Sequence, residues 1–205
     1  MTEFTFDELP KDIQEIIIER KRNFVSEDDQ WDYAQLPYYK DQLDENGYNN
    51  AKIYYSGFWC QGDGAVFEAD INITHFLNKW KDSFWILSII EPLGYFTFRT
   101  TGSDNHYSHK YTRHVDWELT GDIMEAASEE LNQFQYNIIV ALGGKSFVEE
   151  ELQRLCDEIE TDRKEWCDTI YKGLETEYYY QTSDKGIIEQ LCDYGDTFNE
   201  DGDLI

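Results

Sequence analysis

The chain has 205 residues, of which 43 are Asp or Glu and 17 are Lys or Arg, giving a formal net charge of −26. Hydrophobic residues make up 40% and aromatics 16%, enough to bury a core of ordinary size, which excludes an intrinsically disordered acidic chain. The charge sign excludes direct binding of nucleic acid, whose phosphates would be repelled, and its size favours solubility over compactness.

The opening MTEFTFDELP has neither a basic region nor an apolar stretch, so no signal peptide is expected. Asp7 reads as a helix N-cap with Pro10 in the first turn, Leu9, Ile13, Ile16 and Ile17 on one face, and Arg20, Lys21 and Arg22 closing the helix against its dipole. A second helical segment spans about residues 30–46, kinked or interrupted at Pro37 and stopped at Asn46-Gly47. Two strands follow in residues 52–70. The first carries Ile53, Tyr54 and Tyr55 on through Gly57-Phe58-Trp59, and the second is Ala65–Glu68, after a turn at Gln61-Gly62-Asp63-Gly64. Short helices are expected near 74–81 and 83–90. The apolar run 84–90, broken by Ser88, is far too short to span a bilayer.

Alternating aromatic and polar residues over 94–101 and 111–119, separated by Gly102-Ser103-Asp104-Asn105, supply two more strands. The remainder has helical periodicity. One helix is expected over about 123–142, ending at Gly143-Gly144. A long helix then runs to about residue 180, opened by a Ser146/Glu149 capping box and buried along Leu152, Leu155, Ile159, Trp166, Ile170 and Leu174. A last helix is capped by Thr182 or Ser183, and the polar tail from Asn199 is expected to fray. The fold class is α+β: a small, mainly antiparallel sheet of about four strands packed with several helices, including a long acidic C-terminal one. One domain over 1–205 is expected, with a helix-and-sheet part in 1–120 and a strongly acidic helical part in 121–205.

The four cysteines, Cys60, Cys156, Cys167 and Cys192, form no C-x-x-C pair, so zinc and thioredoxin-type readings fail and buried free thiols in a reducing compartment are expected. Three constellations could carry function. Glycines flanking Asp63 suit a tight hairpin with positive φ that lets the backbone approach a ligand, or a turn that does nothing else. His106-Tyr107-Ser108-His109, with His114 nearby, supplies acid–base side chains, but as loop residues these have no third ligand at metal spacing. Gln61, Asp63, Gly64, His106, Tyr107 and His109 are therefore the candidate ligand-binding residues. The third is the carboxylate surface. Residues 146–205 hold 18 Asp and Glu against 5 Lys and Arg, half of the net charge in under a third of the chain. Glu149, Glu150, Glu151, Asp157, Glu158 and Asp162 are the candidate partner-binding residues, either imitating a row of phosphates or forming a solvated face. No hydrolase motif is present, and no catalytic residue, metal ligand or cofactor is assigned.

Tyr55-Ser56-Gly57-Phe58-Trp59-Cys60-Gln61-Gly62-Asp63-Gly64-Ala65-Val66-Phe67-Glu68, together with Phe4–Leu9, Trp31-Asp32-Tyr33, Tyr107-Ser108-His109, Tyr171–Tyr178, Tyr180–Asp184 and Phe198–Gly202, resembles a widespread set of phage and prophage proteins, some loosely labelled antitoxins of toxin–antitoxin systems. Relatives tend to have Ser at Cys60 and a small residue at Val66. The resemblance implies phage origin and transfers no catalytic residue. Charge and resemblance together lead to the expectation of a phage-encoded inhibitor or neutraliser in the host cytoplasm. It would bind a basic host protein, as an antidefence, antirestriction or antitoxin factor, without touching nucleic acid or membrane. The alternative is a small-molecule or nucleotide-signal site at the Gln61–Gly64 turn and His106–His109 hairpin.

Overall fold

The computed structural model of the chain describes residues 3–27, 32–102 and 108–205. In chain order the elements are β1 (Phe4–Thr5), a 3₁₀ turn at Phe6–Glu8, α1 (Lys11–Glu27), α2 (Gln35–Glu45), β2 (Tyr48–Tyr55), β3 (Ala65–Ile71), α3 (Ile73–Lys79), α4 (Trp85–Ile90), a 3₁₀ turn at Glu91–Leu93, β4 (Phe96–Gly102), β5 (Arg113–Leu119), α5 (Ile123–Glu130), α6 (Gln133–Leu142), α7 (Lys145–Gln181), α8 (Asp184–Tyr194) and β6 (Thr197–Phe198). This is the expected α+β class, with a four-stranded antiparallel sheet and a long C-terminal helix. The chain forms two units, one of residues Met1–Leu36 with Lys172–Ile205 and the other of Pro37–Tyr171.

In the first unit α1 packs on α8, and β1 pairs antiparallel with β6 through Phe4↔Phe198 and Thr5↔Thr197. Phe6, Leu9, Ile17, Ile187, Leu191 and Phe198 form its core. Four expectations are corrected here. Asp7 lies in the 3₁₀ turn and does not cap α1, since the first amide bonds of that helix go to the Pro10 carbonyl. The helix also runs past Arg20–Arg22 to Glu27, because Arg22 is tied sideways to Glu19, Asp184 and the Thr182 carbonyl instead of capping an end. Ile16 falls off the buried face, at 44% exposure. The tail is anchored rather than frayed: Asn199 Oδ1 accepts from the amides of Asp201 and Asp203, and Gly202, at φ +79°, lies where a Cβ would strike Ile13 at 2.8 Å. Ser183 caps α8 by accepting from the Gly186 amide, as expected.

In the second unit the sheet order is β2-β3-β4-β5. α2 begins at Gln35, which puts Pro37 in its first turn, where a missing N–H is harmless, so the expected kink has no cause. β2 starts at Tyr48, earlier than the side-chain pattern predicts, because a bulge between Asn49 and Lys52 interrupts the alternation. Asn50 adopts φ +56° there, and its Nδ2 donates to Asp70 Oδ2 at 2.9 Å. β4 and β5 pair over their full lengths, from Phe96↔Leu119 to Gly102↔Arg113, whereas β3 and β4 share only the pair Asp70↔Arg99. Beyond it the Thr100 hydroxyl takes over, accepting from the Ala69 amide and donating to its carbonyl. The expected 123–142 helix is two helices, broken because Asn132 makes a reciprocal capping box with Gln135 and starts α6 afresh. α7 begins at Lys145, directly after Gly144, so Ser146 lies inside it and is no cap.

The buried stripe of α7 holds at Leu152, Leu155, Ile159, Ile170 and Leu174, all fully buried. Trp166 is only half-buried, and Arg163 and Cys167 occupy the stripe in its place, at 0% and 1% exposure. The reason is the sheet edge. β5 is an edge strand, and a buried edge needs partners for its backbone groups. α7 supplies them. The Val115 amide donates to Glu160 Oε2 at 3.0 Å and the Cys156 thiol donates to the Val115 carbonyl at 3.3 Å. Arg163 Nη2 donates to the carbonyls of Arg113 and Lys110 at 2.6 and 2.7 Å. Glu160 closes the network with two bonds from Arg163, at 2.8 and 2.9 Å.

Candidate functional site

α7 carries all six candidate partner-binding carboxylates, and its geometry sorts them into two groups. Three of the six are engaged within the fold. Glu151 is buried at 8% and held by Arg154 at 2.6 Å. Asp162, its side chain 14% exposed, accepts from the buried Tyr48 hydroxyl at 3.1 Å and pairs with Lys79. Glu149 is half-buried and lies 4.0 Å from Lys145. The six therefore do not form the single row that the sequence suggests: at about 100° per residue they spread around the helix, and the inward ones find cations.

The other three, Glu150, Asp157 and Glu158, are exposed and have no ion pair among the described residues. Glu165, which the sequence reading leaves out, joins them. The spacing i, i+7, i+8, i+15 places these four on one face, over about 22 Å at ~1.5 Å per residue. The adjacent edge strand adds exposed Asp116, whose charge, with that of Asp157, reaches Cys156: burial first, then these carboxylates, push that thiol up to about 12. Trp117 Nε1 donates to Gln153 Oε1 at 3.1 Å, and Gln153 donates in turn to Asp157, fixing the stripe to β5.

Glu160 sits on the inner side and behaves differently. Burial opposes its charge, but hydrogen bonds and the charge of Arg163, with Lys164 and the Val115 amide, hold its carboxyl below the ordinary value. Burial raises Tyr48 strongly, helped by the Asp162 charge, so its hydroxyl stays a donor.

The second constellation comes together in space but is not shaped as expected. Gln61, Asp63 and Gly64 belong to a nine-residue loop, 56–64, rather than a tight hairpin turn, and neither Gly62 nor Gly64 has positive φ. Asp63 Oδ2 accepts from the amides of Trp59 and Cys60 at 2.8 and 2.7 Å and thereby closes the loop. Gly64 is buried where a Cβ would lie 3.0 Å from the His109 ring, and Ser56 Oγ donates to the Ser108 carbonyl. The Gln-Gly-Asp-Gly-Ala block and His109 thus meet as packing partners. Gln61 is exposed, and His106 and Tyr107 lie outside the described residues. His114 stands apart, its Nε2 3.0 Å from the Thr101 hydroxyl. No group of three or more His, Cys, Asp or Glu among the described residues could hold a metal ion. The cysteines are free, with Cys156 and Cys167 buried but Cys60 and Cys192 exposed, correcting the expectation that all are buried. Among the described residues no helix is long and apolar enough to cross a membrane.

Residues 31–184 match a family model described as a domain of unknown function, DUF8835, and the chain belongs to that family. Comparison with curated proteins finds no match. Comparison with solved structures finds none either.

Proposed function

We propose that this member of the DUF8835 family is a binding protein that docks the exposed face of α7 on a basic protein and so blocks or neutralises it. The observation that carries this reading is the stripe of Glu150, Asp157, Glu158 and Glu165, four exposed carboxylates with no ion pair among the described residues, on a helix whose inward Glu151, Glu160 and Asp162 are paired. An unpaired stripe on a rigid helix keeps its full field and steers a cationic surface to a defined face, an effect that weakens with salt. The resemblance to phage proteins supports a host protein in the cytoplasm as the partner.

Charge density favours docking over imitation of a duplex. B-DNA would present about 13 charges over the same ~22 Å, at one per ~1.7 Å, several times what the stripe presents. The test is affinity capture from bacterial lysate at low and moderate salt, with the triple variant Glu150→Gln, Asp157→Asn, Glu158→Gln beside a charge-matched control, Asp41→Asn, Glu129→Gln, Glu130→Gln. Wild type and control are expected to retain the same basic protein, lost from the stripe variant. Equal loss in both variants would defeat the reading, because bulk charge alone would then explain binding.

A further inference from the structure

Beside the stripe, within the unit of residues 37–171, lies a cavity of about 300 Å³ lined by Asn46, Lys79, Asp162, Glu165, Trp166 and Thr169. Four of these come from α7 at spacing i, i+3, i+4, i+7, which places them on one helical face. Asn46 follows α2, and Lys79 ends α3.

The lining is rich in hydrogen-bond acceptors. Asn46 Nδ2 donates one of its two N–H groups to the Gln42 carbonyl at 2.8 Å, and its Oδ1 adds an acceptor. The Thr169 hydroxyl donates to the Glu165 carbonyl at 2.9 Å, leaving only lone pairs. Glu165 is exposed with no ion pair among the described residues, and Asp162 Oδ2 receives the Tyr48 hydroxyl while Oδ1 faces Lys79. The indole of Trp166, half-buried, forms an aromatic wall. A lining of two carboxylates, an amide oxygen, a hydroxyl oxygen and an aromatic ring complements a planar cation that only donates. A guanidinium meets that description: five N–H donors in a fixed fork for the carboxylates, and a face that stacks on the indole. The site already holds one cation of the chain's own, the Lys79 ammonium, which also lies 5.1 Å from the centre of the Trp80 ring.

We propose that this cavity is a socket for an arginine side chain of the basic partner, with Lys79 as an internal competitor that the guanidinium displaces from Asp162. The inference rests on the reading of the protein as a binder of basic proteins and names the side chain it would take. Nothing in it uses Glu150, Asp157 or Glu158.

The experiment titrates N-acetyl-arginine methylamide, and separately its lysine counterpart, into the full chain labelled with ¹⁵N-tryptophan, following the Trp166 indole signal assigned through Trp166→Phe. Saturable shifts at Trp166 are expected with the arginine probe, and binding about tenfold weaker with the lysine probe, which offers a point charge without a fork. Thr169→Arg, which tethers a guanidinium at the cavity, should abolish the titration. Lys79→Met and Lys79→Gln should each strengthen it several-fold by freeing Asp162, a direction that mere loss of structure would not give. An unmoved Trp166 signal, equal binding of the lysine probe, or unchanged affinity in both Lys79 variants would each overturn the proposal. The stripe variant should bind the small arginine probe as wild type does, so failure of the socket and failure of the docking face are read separately.

Discussion

The two sides of α7 use the same residue types for opposite purposes. Inward, Glu160 and Arg163 are charged groups taken out of water to satisfy the backbone of an edge strand, and each is surrounded by partners at hydrogen-bond distance. Outward, Glu150, Asp157, Glu158 and Glu165 are exposed and have no ion pair among the described residues. A count of carboxylates cannot distinguish these roles. Only the presence of a partner does, and it predicts that inward substitutions act on stability and outward ones on association.

The sharpest way to break the comparison is to remove Arg163. Arg163→Met leaves Glu160 with Lys164 as its remaining cation and two strand-loop carbonyls without a donor, and should lower unfolding free energy by about 3–5 kcal/mol, read by urea titration. A loss below 1 kcal/mol would mean that the edge is held by packing alone. Glu160→Gln keeps an acceptor for the Val115 amide but loses the charge, so a smaller loss of about 1.5–3 kcal/mol is expected. Its pH dependence gives the sign. The folded carboxyl of Glu160 lies below its ordinary value of 4.5, so its stabilisation is present above that pH and disappears as pH falls through the folded value. The gap between wild type and Glu160→Gln in stability against pH should therefore narrow in acid; a gap that widens there would contradict the assignment.

Thiol chemistry sharpens the same division. Burial raises Cys156 to about 12 and Cys167 to about 11, whereas Cys60 and Cys192 are exposed. A disulfide reagent at neutral pH should modify two thiols in the native protein and four after denaturation. Rapid native modification of Cys156 would mean that the α7–β5 contact opens readily. The smallest effect is expected on the outer face: the stripe variant should unfold within about 0.5 kcal/mol of wild type.

Much of this was legible from the residues. Hydrophobic period located most helices and the four-stranded sheet, and the α7 stripe was right wherever aliphatic residues marked it. It failed at Trp166, because a side chain with apolar bulk was chosen over an arginine, and nothing local announces that Arg163 faces an edge strand some 50 residues away in sequence. Boundaries failed where a polar side chain competed with the pattern, as with the Asn132 cap that divides α5 from α6 and the Asn50 bulge that begins β2 early. The acidic surface was legible as a charge but not as a site, since Glu151 and Asp162 look no different from Glu150 until Arg154, Lys79 and Tyr48 are placed beside them.

The division of labour is tested most directly by the affinity of an oligolysine peptide at two salt concentrations for wild type, the stripe variant and the charge-matched control. All three should share one unfolding free energy, with about tenfold weaker binding and a shallower salt dependence in the stripe variant alone. Equal weakening in stripe variant and control would place the interaction in the total charge and remove any role for this face of α7.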